Sequence, residues 1–423
     1  MDNDLIKHKA SCHDDYDPNS LAVTTALDLI NKTIQPIDGF EKLNIRLTVG
    51  RTLDEDILAP LNVPDYDNSA MDGYAIWHQD LTTKTANTLK IVGSSFAGHP
   101  YEGALKPGET VRIMTGAIIP TGADTVVMQE HVQLSNGNIT IHGSHSLGQN
   151  IRKVGEDVKQ NSQLFPKGKR LMPADIGMLA SLGIAEIKVK RLVRIAFFST
   201  GDELCAIGST RTKGQIFDSN RYTLYGMLSR LGVDIMDMGS IPDDVNAIKS
   251  ALLTASNTAD AVITTGGVSV GDADYVKDIL EEIGTINFWK IAMKPGRPLA
   301  FGQIKNSIFF GLPGNPVSAM VTFYQYIQPA IKRMMGQDDT LYPTFKVECI
   351  SPLKKKPGRT EFQRGILFKD QSSGQYKVKS TGKQDSHMLS SMSQANCFIM
   401  LPTEVSSIAP GTMVDIQPFD SIV

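Results

Sequence analysis

Three stretches of this chain bring charged or polar side chains to places where glycine and proline fix the backbone, the pattern of a ligand cradle. In the first, the apolar strand Ala261-Val262-Ile263 runs into Gly266-Gly267-Val268-Ser269-Val270-Gly271 and then Asp272-Ala273-Asp274. Asp272 is predicted to cap a helix carrying Val276, Ile279, Leu280 and Ile283, with Gly284 as its stop. Asp274 then sits in the first turn, where a carboxylate either complements the helix dipole, worth a few tenths to about 1 kcal/mol, or serves as a ligand. In the second stretch, Lys290 lies four residues before Lys294, and Pro295 biases Lys294 to extended backbone. The two lysines are therefore expected on one face of a strand, and two ammoniums on one face call for an anion. The third is the apolar run Ile308 to Leu312 followed by Pro313-Gly314-Asn315-Pro316, with Asn315 as cap and Pro316 at the first helical position.

The surrounding pattern says what positions these residues. Val193 to Phe198 reads as a strand running into Ser199-Thr200-Gly201-Asp202-Glu203-Leu204, and Ser219 or Asn220 is expected to cap a helix bearing Leu224, Leu228 and Leu231 before Gly232. Val233 to Met238 repeats the strand, ends near Asp243 and Asp244, and leads to a helix with Val245, Ile248 and Leu252. Strands alternating with helices imply βαβ units in a doubly wound parallel sheet with right-handed crossovers, whose ligands bind outside the carboxyl ends of the strands. Five loops should meet there: Gly201 to Glu203, Asp243 with Asp244, Gly266 to Asp274, Lys290 to Arg297, and Pro313 to Asn315. An amphipathic helix from Ser20, with Leu21, Val23, Ala26, Leu27 and Ile30, packs on this sheet, and the helix after Pro316 is core, kinked or ended at Pro329.

Elsewhere the chain is β-rich. From Phe40 to about Val158, short strands alternate with turns, and Pro64 to Ala75 and Arg112 to Ala117 are polar loops of ordinary turn composition. Asn150 to Asp157 reads as a solvated loop, and Pro173 opens a short helix ending at Gly183. From about Tyr342 a small β-barrel is expected. Lys354-Lys355-Lys356 reads as a solvated turn, while Arg359 to Gly365 and Ser386 to Ser391 are either anion ligands or plain loops.

At 423 residues the chain should hold about three domains. With 41% hydrophobic and 21% charged residues and a net charge of -3, nothing points to nucleic acid or an acidic membrane. Cys12, Cys205, Cys349 and Cys397 are widely spaced, which fits a reducing cytoplasm. No apolar run is long enough for a membrane span, and the first residues lack a signal peptide's pattern. Residues 1 to 18 read as a mobile tail, in which His8, Cys12 and His13 lack a fourth ligand for a metal site.

The motifs Asn68-Ser69-Ala70-Met71-Asp72-Gly73-Tyr74-Ala75, Met114-Thr115-Gly116, Ser199 to Leu204, Thr265 to Tyr275, Met293 to Phe301 and Leu312 to Ser318, in this order, resemble the molybdopterin molybdenumtransferase family, which includes bacterial molybdenum-insertion enzymes and the gephyrin E domain. The resemblance runs from about Ser20 to the C-terminus. It implies a homodimer of four-domain chains whose active site is shared between subunits, with other molybdenum cofactor biosynthesis proteins as further partners. It also implies a multidomain α/β fold: a linker domain (39–58 with 162–187), a β-rich domain (59–161), a molybdopterin-binding domain (19–38 with 188–341) and a C-terminal β-barrel (342–423). The implied reaction inserts molybdenum from molybdate into the dithiolene of adenylylated molybdopterin and releases AMP, with Mg2+.

Carried onto this chain, the resemblance implies Asp72, Thr115, Glu203, Asp274, Lys290 and Lys294 as catalytic residues. Substrate binding falls to Gly201, Gly266, Gly267, Ser269, Arg297, Pro313, Gly314, Asn315, Pro316, Arg364 and Ser386. Carboxylates among lysines make sense where a hard cation bridges them to a pyrophosphate, so Asp243, Asp274 and Glu203 are the expected metal ligands. Asp72 and Thr115 are expected to act from the partner subunit. Two departures from the family pattern are Asp272 where Glu is common and Arg297 where Lys is common, the latter replacing a compact ammonium by a planar fork. The sheet domain is also similar to the molybdopterin adenylyltransferases, and a clustering scaffold like the gephyrin E domain is a further alternative. The β-rich and C-terminal modules favour the insertion step over the first. The retained acids and lysines weigh against the second.

Overall fold

A computed structural model describes residues 20–81, 87–266, 275–337 and 343–419. The chain divides into two compact units, Met1–Phe40 with Lys190–Val423 and Glu41–Val189. The first is built on a sheet whose strands alternate their apolar side chains between two faces. In β1 (Arg194–Thr200), Ile195 and Phe197 enter one core while Ala196 and Phe198 enter the other. The first face is covered by α1 (Val23–Thr33) and α2 (Ser219–Leu231), through Ala26, Ile30, Leu224 and Leu228. The second is covered by α3 (Val245–Thr258) and α4 (Tyr275–Ile283), through Ile248, Leu252, Ile279 and Leu280. Helices on both faces make the sheet doubly wound, as expected from the alternation of elements.

The expectation of a wholly parallel sheet needs correction. With β2 (Asp234–Ile241), β3 (Ala261–Thr265), β4 (Gly284–Lys290), β5 (Met293–Lys294), β6 (Pro298–Ile304) and β7 (Ser307–Leu312), the six-stranded order is β2-β1-β3-β7-β6-β4. The first four strands are parallel, but β6 runs antiparallel to both β7 and β4. Lys305 and Asn306 join β6 to β7 as a two-residue turn, with Lys305 at φ 52°. So short a connection can only return the chain antiparallel. Because of this reversal, β6 begins at the same edge where β7 and β4 end.

Lys290 and Lys294 do not share a strand: β4 stops at Lys290, and Lys294 belongs to β5, outside the sheet. Leu21 wedges this break open, its N–H donating to Lys290 O at 2.8 Å and its carbonyl accepting from Ala292 N at 2.8 Å. The same contacts hold Leu21 in a bridge to Ile291, with Ala22 extended after it, so α1 begins at Val23 and not at a Ser20 cap. The cap of α2 is Asp218, which accepts from Arg221 N, where Ser219 or Asn220 was expected. The cap expected at Asp272 lies outside the described residues. After α5 (Pro316–Thr322), a π turn over Phe323–Ile327 precedes α6 (Gln328–Met334). The wider turn accommodates Pro329, which lacks the N–H that an uninterrupted helix would use.

The C-terminal part joins the same unit. Strands β8 (Phe345–Cys349), β9 (Thr360–Lys369), β10 (Tyr376–Ser380), β11 (Cys397–Leu401) and β12 (Thr412–Pro418) close into a barrel through the pairing of β9 with both β10 and β11. A short helix, α7 (Leu389–Gln394), precedes β11. The expected solvated turn at Lys354–Lys356 is instead an extended segment. Leu353 and Lys355 point inward and their neighbours outward, because Leu353 pairs with Ile408 and anchors the segment to the barrel core. The Lys355 ammonium is buried on the carbonyls of Lys356, Thr403 and Val405 at 3.2, 3.3 and 2.8 Å.

The Glu41–Val189 unit carries a six-stranded sheet in the spatial order 125–128, 73–76, 109–113, 87–95, 138–141, 132–135. A separate cluster of Leu53, Ile57, Phe165, Leu171, Leu179, Ile187 and Val189 packs around the helix Pro173–Ser181.

One ion pair anchors the start of the α/β sheet. Arg191 donates from both terminal nitrogens to Asp260 at 2.7 and 2.8 Å, and Asp260 also accepts from Arg194 N at 2.8 Å. Partial burial raises the Asp260 carboxyl, but these donors outweigh it and hold it below the ordinary range. A depressed carboxyl contributes stability above its unfolded pKa and loses it as pH falls through the folded value. Asp260→Asn should therefore cost about 1–3 kcal/mol at neutral pH, with the deficit shrinking in acid, as read by urea unfolding across pH.

Candidate functional site

All the loops singled out by their chemistry, so far as they are described, leave one edge of the α/β sheet, and their charges are sorted along it. At the β2/β1 end stand acids. Glu203 follows β1, and its carboxylate folds back on Gly201 so closely that a Cβ there would lie 2.5 Å from Oε2. With φ at 146°, Gly201 is a position only glycine fills without strain. Asp243 follows β2 and donates its N–H to Asp202 Oδ1 at 3.2 Å. Partial desolvation, and then the Asp202 and Glu203 carboxylates, raise the Asp243 carboxyl above its usual range. No ion pair to Asp202, Glu203 or Asp243 occurs among the described residues. Asp244, expected with them, is instead the cap of α3, accepting from Ala247 N at 2.8 Å.

Between the two ends, β1 and β3 lie side by side at the switch in strand order, paired up to Ser199 and Thr265. Gly266, at φ 91°, lies so near that a Cβ would come within 2.4 Å of Thr200 O, so the backbone can turn there only without a side chain. Gly267, Ser269 and Asp274 lie outside the described residues. Among the described residues, no group of three acids, histidines or cysteines is placed to hold a metal. Of the expected ligand set, Glu203 and Asp243 are thus visible and Asp274 is not.

At the β7/β4 end the charge is positive. A cavity of about 1160 Å³ opens between the sheet loops and the barrel, with Lys290, Lys294, Arg297, Lys354, Arg359 and Lys383 in its wall and, among the described residues, Asp385 as its one lining acid. Pro313, Gly314, Asn315, Ser318 and Ser386 complete the near side. The two lobes are stitched together around it. β5 pairs in parallel with β9, setting Lys294 beside Glu361, and Val317 N, an otherwise open donor at the start of α5, donates to Ser386 O at 3.2 Å. Pro316 occupies the first turn of α5 and does not line the cavity.

Arg364 is not in the cavity wall. It is fully buried, its Nε donating to Ser391 Oγ and its Nη2 to Asp385 O, both at 3.1 Å, so it braces the loop that presents Ser386. Burial pushes its guanidinium down to about 10, which leaves it charged at neutral pH. Two contributors were not legible in the sequence. Lys383 lines the cavity but carries no motif. Asn220 donates from Nδ2 to Thr265 Oγ1 and to Gly314 O, both at 2.8 Å, tying the end of β3 to the Pro313–Asn315 loop. The polar dipeptide after Asp218 was the available signal, but it reads as helix capping.

Within the Glu41–Val189 unit, Asp72 and Thr115 meet although they are 43 residues apart. Both the N–H and the hydroxyl of Thr115 donate to Asp72 Oδ1, at 2.8 and 2.7 Å. The backbone donor, then the hydroxyl, hold the Asp72 carboxyl below the ordinary range. The pair is a fixed, ionised acid at the surface.

Three family models match the chain: the MoeA N-terminal region (domain I and II) over residues 21–183, the probable molybdopterin binding domain over 196–333, and the MoeA C-terminal region (domain IV) over 346–419. Molybdopterin molybdenumtransferase of Haemophilus influenzae is 46% identical over 385 residues, 90% of this chain and 95% of that one. Gephyrin of Dictyostelium discoideum is 34% identical, aligned over 94% of this chain and 62% of its own length. The crystal structure of a molybdopterin biosynthesis moeA protein from Pyrococcus horikoshii superposes with a TM-score of 0.83 at 29% identity, covering 95% of this chain and all of that one.

Two expectations follow from the geometry. Thr115→Val removes one of the two donors to Asp72, so the carboxyl should titrate at a higher pH, as followed by carbon-13 NMR of the aspartate carboxyls. Asn220→Ala leaves Gly314 O and Thr265 Oγ1 without their donor, and should lower thermal stability by the equivalent of about 1–2 kcal/mol and loosen the Pro313–Asn315 loop, measured as faster amide exchange at Gly314.

Proposed function

The chain belongs to the molybdopterin molybdenumtransferase family, and from that premise we propose that it inserts molybdenum from molybdate into the dithiolene of adenylylated molybdopterin and releases AMP. Molybdenum insertion in molybdenum cofactor biosynthesis is the family's work. The release of AMP, the cation, the dimer and the cytoplasmic setting are specific to this proposal.

The observation that carries it is the sorting of charge along one sheet edge. Molybdate is a dianion and needs compact positive charge and backbone donors, which the cavity with Lys290, Lys294, Arg297 and Ser386 offers. A pyrophosphate needs a hard cation before it can lie near carboxylates, and the oxygen-only donors Glu203 and Asp243, joined by Asp274, suit Mg2+. Bound there, Mg2+ would neutralise pyrophosphate charge and polarise its phosphoryl oxygens. Lys290 and Lys294 would stabilise the negative charge that develops as AMP departs, while Arg364 keeps the Ser386 loop in place. Gly201 and Gly266 let the chain turn tightly at the strand ends, against the Glu203 carboxylate and Thr200 O, where a side chain would clash.

Asp72 and Thr115 of a second copy would complete the cleft, which accounts for an ionised, exposed acid held in a unit with no cation-lined cavity described of its own. Among the described residues, no helix is long and apolar enough to cross a membrane.

Incubation of the purified chain with adenylylated molybdopterin, molybdate and Mg2+ should release AMP and yield molybdenum-loaded cofactor. AMP formation only with ATP and unmodified molybdopterin would assign the chain to the preceding adenylylation step instead. Asp274→Ala should abolish insertion while light scattering still reports a dimer, and unchanged insertion would remove Asp274 from the mechanism.

A further inference from the structure

A buried carboxylate stands directly behind the cation-lined cavity. Glu361 is 6% exposed, does not line the cavity, and sits beside Lys294 in the parallel β5/β9 register. Its Oε1 lies 3.7 Å from Lys294 Nζ, and its Oε2 accepts from Gln363 Nε2 at 2.8 Å. Gln363 is itself buried and also donates to Lys354 O at 3.0 Å, so the amide aims the carboxylate. On the barrel side, the carboxylates of Glu361 and then Glu404 favour the charged form of the buried Lys355 ammonium. Burying a carboxylate costs several kcal/mol unless charges and donors compensate it. Here the compensation comes from an ammonium that reaches the cavity and is still half exposed.

We propose that Glu361 is a positioning residue of the cavity, the resident counter-ion that holds the Lys294 ammonium at the barrel wall and competes with an incoming oxyanion for it. The inference rests on the reading of the cavity as the oxyanion site. Its physical content is a trade: Glu361 keeps Lys294 ordered and relieves repulsion among the cations, and it thereby weakens the hold on any dianion. Product release benefits from the same competition.

The test is a calorimetric titration of the full chain with sodium molybdate at low and high ionic strength, with folding followed by thermal unfolding. Freeing the single positive charge of Lys294 from its counter-ion to meet a dianion at about 6 Å in a water-exposed cavity is worth roughly a tenfold change in binding. Glu361→Gln should therefore bind molybdate about tenfold more tightly at low ionic strength, with the gain narrowing as salt is added. In a Lys294→Met background the same change should have a much smaller effect. A purely structural role for Glu361 would leave the salt dependence unmoved, and molybdate affinity in Glu361→Gln equal to or below that of the parent would overturn the proposal. If Glu361→Gln does not fold, Glu361→Asp, with its charge withdrawn by one methylene, should still bind more tightly than the parent, and equal affinity would overturn it. Should the parent bind molybdate and Lys294→Met bind it equally well, the oxyanion reading of the cavity fails, and this inference with it. If that reading stands and only Glu361→Gln is silent, the inference alone is wrong.

Discussion

Six cationic side chains around one cavity repel one another, and the rest of this unit is arranged to hold them there. No single element could do so, since Lys290, Lys294 and Arg297 come from the sheet loops and Lys354, Arg359 and Lys383 from the barrel. The two lobes are therefore joined at the point of greatest repulsion. The β5/β9 ladder, the Val317 to Ser386 hydrogen bond and the buried Arg364 fork all lie within a few residues of the cavity wall. Gln363 in the wall, with Glu361 and Lys355 behind it, forms a polar layer whose members are each buried and each partnered. Such a layer supplies fixed charge and rigidity together, because every member is satisfied only in one arrangement.

The sheet adds a second constraint. In the proposed reaction a pyrophosphate and molybdate bring negative charge to two places, and acids are useful at only one of them. Placing Glu203 and Asp243 after β1 and β2, and the lysines after β4 and before β6, keeps the two environments on one edge but strands apart. The reversal of β6 makes this possible. In a wholly parallel sheet the start of that strand would lie at the far edge, and Arg297 with it. Gly266, at the switch between β1 and β3, marks the boundary between the two environments.

Much of this was legible in the chain itself. Continuous apolar strands such as Ile195 to Phe198, alternating with helical segments and followed by glycine and acid residues, suffice to predict a doubly wound sheet and the edge at which its loops gather. Helix starts were legible where proline marks them, at Pro173 and at Asn315 with Pro316, whereas α2 is capped one residue before the expected Ser219 and α1 begins only at Val23, after Leu21 is held by Lys290 and Ala292. Asp72 and Thr115 were both marked by turn chemistry, yet the bonds from Thr115 to Asp72 connect loops 43 residues apart.

By itself, then, the sequence determined the periodicities, the turn residues and the inventory of acids and lysines, since each depends on a residue and its near neighbours. Tertiary structure alone decided three things. Lys355 is a buried ammonium and not a solvated one, because Leu353 two residues earlier is anchored in a core assembled from distant strands. Arg364 braces a loop and does not line the cavity, because the barrel closes over it. Lys290 and Lys294, expected on one strand face, reach one cavity from separate strands, because Leu21, far away in sequence, takes the hydrogen bonds between them. Charge type is a local property of the chain, whereas the solvent and the counter-ion each charge meets are properties of the fold.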